Sequence, residues 1–214
     1  EVRYLAELKH PSIPEVVDYF EPDKDGNAYI VMELIQGRTL EDSYKERNWG
    51  VSLETTIDCA KQICDVLSYL HNRPKPIVFR DLKPSNVMVD EYGTVKLIDF
   101  GIARQFKKGQ RTDTLAMGTY SFGAPEQLAN RQTDPRSDLY SLGATLYYLL
   151  SGGNYYNSHG AAEQRRRLTG LEEVDGVVFR LLEADPDRRY GSAAEAKAAL
   201  ERALDAVLGV ERKE

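Results

Sequence analysis

One short stretch gathers Arg80, Asp81, Lys83 and Asn86, in the order Arg80-Asp81-Leu82-Lys83-Pro84-Ser85-Asn86. Apolar segments flank it, Ile77–Phe79 before and Val87–Val89 after, so the polar groups sit on a loop that rigid neighbours hold in place. A carboxylate such as Asp81 can accept a proton from a hydroxyl, and Lys83 can neutralise phosphate charge as a point cation. A second carboxylate, Asp99, ends the next apolar segment in Leu97-Ile98-Asp99-Phe100-Gly101. The turn Asp90-Glu91-Tyr92-Gly93 folds these segments into a hairpin and brings Asn86 near Asp99. Asn and Asp are hard oxygen donors, suited to Mg²⁺ held together with phosphate oxygens.

The elements that must position this loop follow from periodicity. Val2, Leu5 and Leu8 have helical spacing, and His10-Pro11 ends that pattern. Residues 16–20 and 28–34 read as strands of an antiparallel hairpin, joined by the dense turn Pro22-Asp23-Lys24-Asp25-Gly26-Asn27. Gln36-Gly37-Arg38 reads as a connector. Ser52 caps a helix over 53–72, with Leu53, Ile57, Ala60, Ile63, Cys64, Leu67 and Leu70 on one stripe, ended by Pro74 and Pro76. Ile77–Phe79, Val87–Val89 and Val95–Ile98 are strand-like. Residues 101–135 have no clear period and read as a long loop of the kind that carries function. Helices are expected over 137–151, stopped by Gly152-Gly153, and over about 174–184. Ser192-Ala193-Ala194-Glu195 is a capping box that opens a last helix to about Leu208, with Gly209 as its stop. A little β followed by mostly α gives an α+β class, and the absence of βαβα alternation argues against a doubly wound sheet.

Composition sets bounds on function. The 214 residues are 42% hydrophobic and 29% charged, enough for a sizeable core. A net charge of -6 gives no electrostatic reason to expect nucleic-acid binding, and Arg165-Arg166-Arg167 reads as a solvated helix face. Cys59 and Cys64 have neither a CxxC nor a zinc spacing; they read as packing residues that suit a reducing, cytoplasmic setting. No apolar run has the length of a membrane span. The first residues read as uncapped amphipathic helix and not as a signal peptide, which suggests a cut inside a longer protein.

Taken in order, the motifs resemble those of a eukaryotic-type protein kinase, in a style similar to bacterial Ser/Thr kinases. Arg80-Asp81-Leu82-Lys83 with Asn86 resembles the catalytic loop, Asp99-Phe100-Gly101 the DFG triplet and Ala124-Pro125-Glu126 the APE triplet. Asp138 resembles the buried aspartate that anchors the catalytic loop, and Arg189 the arginine that pairs with the APE glutamate, here Glu126. The resemblance implies transfer of the γ-phosphate of ATP to Ser/Thr hydroxyls of a protein substrate. Asp81 is then the catalytic base, Lys83 steadies the γ-phosphate, and Asn86 and Asp99 bind Mg²⁺. It further implies that Met32-Glu33-Leu34-Ile35 is the hinge, with Met32 the gatekeeper. The backbones of Glu33 and Ile35 would meet adenine above a floor formed by Met88. Thr119 would contact Asp81 and Lys83.

The chain also departs from the family pattern. Phe79 stands where most members have histidine, and is expected to pack under Phe100. No G-x-G-x-x-G loop or Val-Ala-Ile-Lys-like strand occurs, and Glu1 aligns with the glutamate of the family's helix αC. The expectation is a domain cut at that helix, with residues 1–35 a partial N-lobe and 36–214 the C-lobe. By itself this chain would be weak or inactive. Thr112, Thr114 and Ser121 are candidate phosphosites, with Arg80 the residue a phosphate would pair with. A pseudokinase scaffold is the alternative, against which the intact Asp81, Asn86 and Asp99 argue. A small-molecule kinase is a third reading, and the APE triplet and Thr119 favour a protein substrate instead.

Overall fold

The computed structural model describes residues 6–22, 24, 26–99, 121–129, 134–157, 164 and 168–209. Strands β1 (Val16–Phe20) and β2 (Tyr29–Met32) form the expected antiparallel hairpin, with Phe20 opposite Tyr29 and Val16 opposite Met32. Two strands alone are marginal in water. This pair is tied down by Leu8 and Ile13, which are buried in the core just before it. Val17, Phe20, Tyr29, Val31 and Met32 of this hairpin are exposed.

A second sheet runs in the order β3 (Gly37–Thr39), β4 (Val87–Asp90), β5 (Val95–Leu97), antiparallel throughout. The presumed connector at Gln36-Gly37-Arg38 therefore contributes a strand. Gly37 explains why: a Cβ there would lie 2.3 Å from the Val89 carbonyl oxygen, so only glycine allows the close pairing with β4. Helix α1 (Leu40–Glu46) follows at once, and sequence periodicity gave no sign of it. Thr39 caps it by accepting the Asp42 N–H at 3.0 Å, and Leu40 and Tyr44 anchor it in the core.

Helix α2 (Leu53–His71) ends within a residue of expectation, and the Ser52 hydroxyl accepts the Thr55 N–H at 3.1 Å. Its apolar stripe is buried from Ile57 to Leu70. Each such Leu or Ile contributes about 1.5–3 kcal/mol when fully buried. Ile77–Phe79 forms no strand; its backbone runs free of the sheets towards the next loop. The 121–129 stretch, expected as loop, contains the short helix α3 (Pro125–Leu128).

Helix α4 (Pro135–Leu150) starts two residues before its expected position, because Asp134 caps it and Pro135 fits its first turn. It is buried along almost its whole length, from Ser137 to Leu149, which makes it the axis of the helical part. Helix α5 (Glu172–Leu181) packs on it, and α6 (Ala193–Leu208) packs on α5 and α2. Ser192 caps α6 through the Glu195 N–H, and the helix stops at Gly209. The Glu195 carboxylate reaches back to the Gly191 N–H at 2.9 Å, one residue before the cap. No described helix is long and apolar enough to cross a membrane.

Candidate active site

The Arg80–Asn86 loop is suspended from the central helix. Asp138 on α4 is fully buried, and its carboxylate accepts three hydrogen bonds: from the backbone N–H groups of Phe79 and Arg80 and from His71 Nε2, each at 2.8 Å. A carboxylate only accepts, so Nε2 carries the histidine proton. A buried charge needs such partners, and here they fix the entry to the loop. Arg80 is held at φ 68°, a left-handed conformation uncommon outside glycine. Its carbonyl accepts Gln127 Nε2 at 3.0 Å, which ties the loop to α3.

Within the loop, Asp81 Oδ2 accepts from Lys83 Nζ at 3.1 Å and from Asn86 Nδ2 at 2.9 Å. Asn86 Nδ2 also donates to the Asp81 carbonyl at 2.9 Å. Asp81, Lys83 and Asn86 are therefore brought together, as expected. The turn Pro84–Asn86 is a single 3₁₀ turn, and Asn86 is only 6% exposed.

The Ile98 N–H donates to the Asn86 carbonyl at 2.9 Å, which sets Asp99 beside Asn86 at the end of β5. Asp99 is exposed and has φ 62°. The donor set fits Mg²⁺. With Asn86 Nδ2 committed to Asp81, Oδ1 remains as the hard donor, and Asp99 adds a carboxylate. No cluster of three or more His, Cys, Asp or Glu suited to a metal occurs among the described residues. Cys59 and Cys64 are buried, and burial pushes their thiols up to about 11 and about 12, away from any thiolate role.

A second clamp lies behind the loop. Arg189 Nη1 and Nη2 grip Glu126 Oε1 and Oε2, each at 2.8 Å. Its other donors go to the carbonyls of Glu183, Arg136 and Ala184, and Ser137 Oγ adds a bond to Glu126 at 2.7 Å. Burial alone would push the Glu126 carboxyl up, but the hydrogen bonds from Arg189 and Ser137 outweigh it and hold the carboxyl below its ordinary value.

The segment Met32–Ile35 leaves β2 and runs to β3. Glu33 and Ile35 are half-buried, while Met32 and Leu34 are exposed. The Glu33 N–H donates to the Glu15 carbonyl at 2.9 Å. Met88 is half-buried on the middle strand of the second sheet, opposite Thr39 and Lys96. Phe79 is buried, but Phe100 and Gly101, Thr112, Thr114, Thr119 and Glu1 lie outside the described residues.

The family model described as protein kinase domain matches residues 1–205. The chain belongs to the protein kinase domain family. It is 34% identical to the serine/threonine-protein kinase PknB of Mycolicibacterium smegmatis over 94% of this chain and 34% of that protein. It is 37% identical to a probable serine/threonine-protein kinase, SCO3848, of Streptomyces coelicolor, over 96% of this chain and 33% of the other. Sperm motility kinase 2B of Mus musculus is 40% identical over 71% of this chain and 30% of that protein. The chain thus spans about a third of the length of these curated relatives. The crystal structure of the Mycobacterium tuberculosis PknI kinase domain superposes with a TM-score of 0.73 at 26% identity, covering 94% of this chain and 75% of that one.

In this kinase domain, sequence reasoning missed two contacts to the site. Gln127 binds the Arg80 carbonyl, and Lys96 binds Glu33. Gln127 directly follows Glu126 in the sequence, a signal that was available. Lys96 looks like any polar residue of an alternating strand, and only the topology sets Glu33 against it.

Proposed function

We propose that this protein transfers the γ-phosphoryl group of ATP to Ser or Thr hydroxyls of a protein substrate. The observation that carries the reading is the Asp81 carboxylate, held by Lys83 and Asn86 next to Asp99. Asp81 would orient the acceptor hydroxyl and take its proton. Lys83, within reach of the same carboxylate, would sit against the transferring phosphoryl group, as lysine does in the Ser/Thr class. Asn86 Oδ1 and Asp99 would hold Mg²⁺, which supplies neutralisation of phosphate charge when bound. Glu33 and Ile35 would receive the adenine through their backbones, with Met88 beneath it. Phosphoryl transfer depends mainly on positioning and charge, so a loop fixed from behind by Asp138 is what the reaction requires.

We read residues 1–35 as part of an N-lobe and 36–214 as the C-lobe. We place the reaction in the cytoplasm, where ATP is present and the unpaired Cys59 and Cys64 remain reduced. The test is incubation of the full-length protein with Mg²⁺ and labelled ATP, followed by phosphoamino-acid analysis. Phosphoserine or phosphothreonine that vanishes on chelation of Mg²⁺ is expected. Label on tyrosine only, or none on any protein substrate, overturns the reading.

A further inference from the structure

We propose that Lys96 is a positioning residue for nucleotide binding. By gripping the Glu33 side chain, it fixes the segment whose backbone meets the base. The proposal rests on the kinase reading above and assigns a new residue to that site.

Glu33 is held from two sides. Its N–H donates to the Glu15 carbonyl at 2.9 Å, on the side of the β1–β2 hairpin. Its Oε1 accepts Lys96 Nζ, on the side of the β3–β4–β5 sheet. Lys96 stands opposite Met88 in the β4–β5 ladder, next to the proposed adenine floor. A second tie joins the same two parts: the Leu97 N–H donates to the Ser12 carbonyl at 2.9 Å.

Apolar packing cannot do this work along the segment. Leu34 is 88% exposed and Met32 is 45% exposed, so neither side chain anchors the residue between them. The ion pair is better shielded, with side-chain exposures of 17% for Lys96 and 35% for Glu33. Fixing the peptide at both its N–H and its side chain preorients the Glu33 carbonyl. Nucleotide then binds without paying to order the segment. Asp81 and Lys83 lie elsewhere, so the latch should govern nucleotide affinity and leave turnover alone.

The experiment uses full-length protein and three variants: Lys96→Met, Lys96→Arg and the charge swap Lys96→Glu with Glu33→Lys. ADP affinity is measured by calorimetry, and KM for ATP and kcat by phosphate transfer. Lys96→Met should weaken ADP binding and raise KM about fivefold, with kcat changed less than about twofold. Lys96→Arg should retain the wild-type affinity, and the swap should recover most of it. Equal ADP affinity in wild type and Lys96→Met overturns the latch, as does a kcat loss without a KM change. Urea midpoints guard against a fold defect: the latch requires weaker ADP binding in Lys96→Met under conditions where that variant is fully folded, and an affinity loss that merely tracks its unfolded fraction overturns it. If wild type binds ADP but transfers nothing, the kinase activity is refuted, while the ratio of ADP affinities still decides the latch.

Discussion

Asp138 Oδ1 accepts the backbone N–H of Arg80 at 2.8 Å, joining the buried core of α4 to a residue adjacent to Asp81. The bond acts on backbone, so it sets the path of the loop and not merely one side chain. Its partner oxygen takes Phe79 N–H and His71 Nε2. Arg80 keeps its left-handed φ because these bonds outweigh the local cost, about 1–3 kcal/mol for a strained backbone residue.

Asp138→Asn should therefore lower both stability and turnover. Whichever way the amide turns, its NH₂ faces an N–H donor and one bond becomes a clash of donors. A loss of about 2–4 kcal/mol is expected, the scale for breaking a buried charged network. Urea denaturation measures it. An unchanged midpoint would mean that the three bonds do not hold the loop.

Asp81→Asn should leave the fold intact, because the amide still occupies the same partly exposed place. The proton acceptor is lost. Turnover should fall by about 10²–10⁴-fold, the usual scale for a general base, with KM for ATP little changed. A wild-type rate in this variant removes Asp81 from the role assigned to it.

Local signals in the sequence were read well where one segment decides its own structure. Ser52 and Ser192 cap the helices they were expected to cap, and Val16–Phe20 pairs across the turn as its pattern demanded. The failures share a cause: a distant partner decides. Ile77–Phe79 has the composition of a strand, but the Phe79 N–H goes to Asp138 and not to a neighbouring strand. Gly37 looks like a turn residue until Val89 is placed against it. Helix α1 is too short for a period to show, and depends on Leu40 and Tyr44 finding the core. The Asp81–Lys83–Asn86 cluster was legible because its spacing is local. Lys96 was not, since its pairing with Glu33 spans two sheets.

The Glu126–Arg189 clamp should make stability depend on acid. Burial pushes the Glu126 carboxyl up, and the Arg189 and Ser137 hydrogen bonds more than reverse this, so its folded value lies below the ordinary 4.5. A group lowered on folding stabilises the native state above its unfolded value. That contribution disappears as pH falls through the lowered folded value. Glu126→Gln keeps hydrogen-bonding atoms but does not ionise there. At neutral pH it should be less stable than wild type by about 1–3 kcal/mol, and the gap should narrow as pH falls below the unfolded value and close below the lowered folded value. Urea midpoints at neutral and acid pH check this. A gap independent of pH would show that the ion pair contributes nothing through its charge.

Trp49, the protein's single tryptophan, offers a direct optical test of how α1 is docked. It follows α1 at φ 62°, donates its backbone N–H to the Tyr44 carbonyl at 2.8 Å, and packs edge-on against Tyr148 with centroids 5.2 Å apart. The space for its ring is provided by Gly153, where a Cβ would lie 2.5 Å from the indole. Gly153 also has φ 87°, which disfavours any L side chain. Gly153→Ala thus combines a steric clash with backbone strain, and the indole must move outward. A loss of about 2–3 kcal/mol is expected, with tryptophan emission shifted to the red as the ring meets water. Trp49→Phe, which keeps an aromatic ring on Tyr148, should cost less than Gly153→Ala. If Gly153→Ala leaves both emission and denaturation midpoint unchanged, Trp49 does not occupy the space beside Gly153, and its packing against Tyr148 of α4 is wrong.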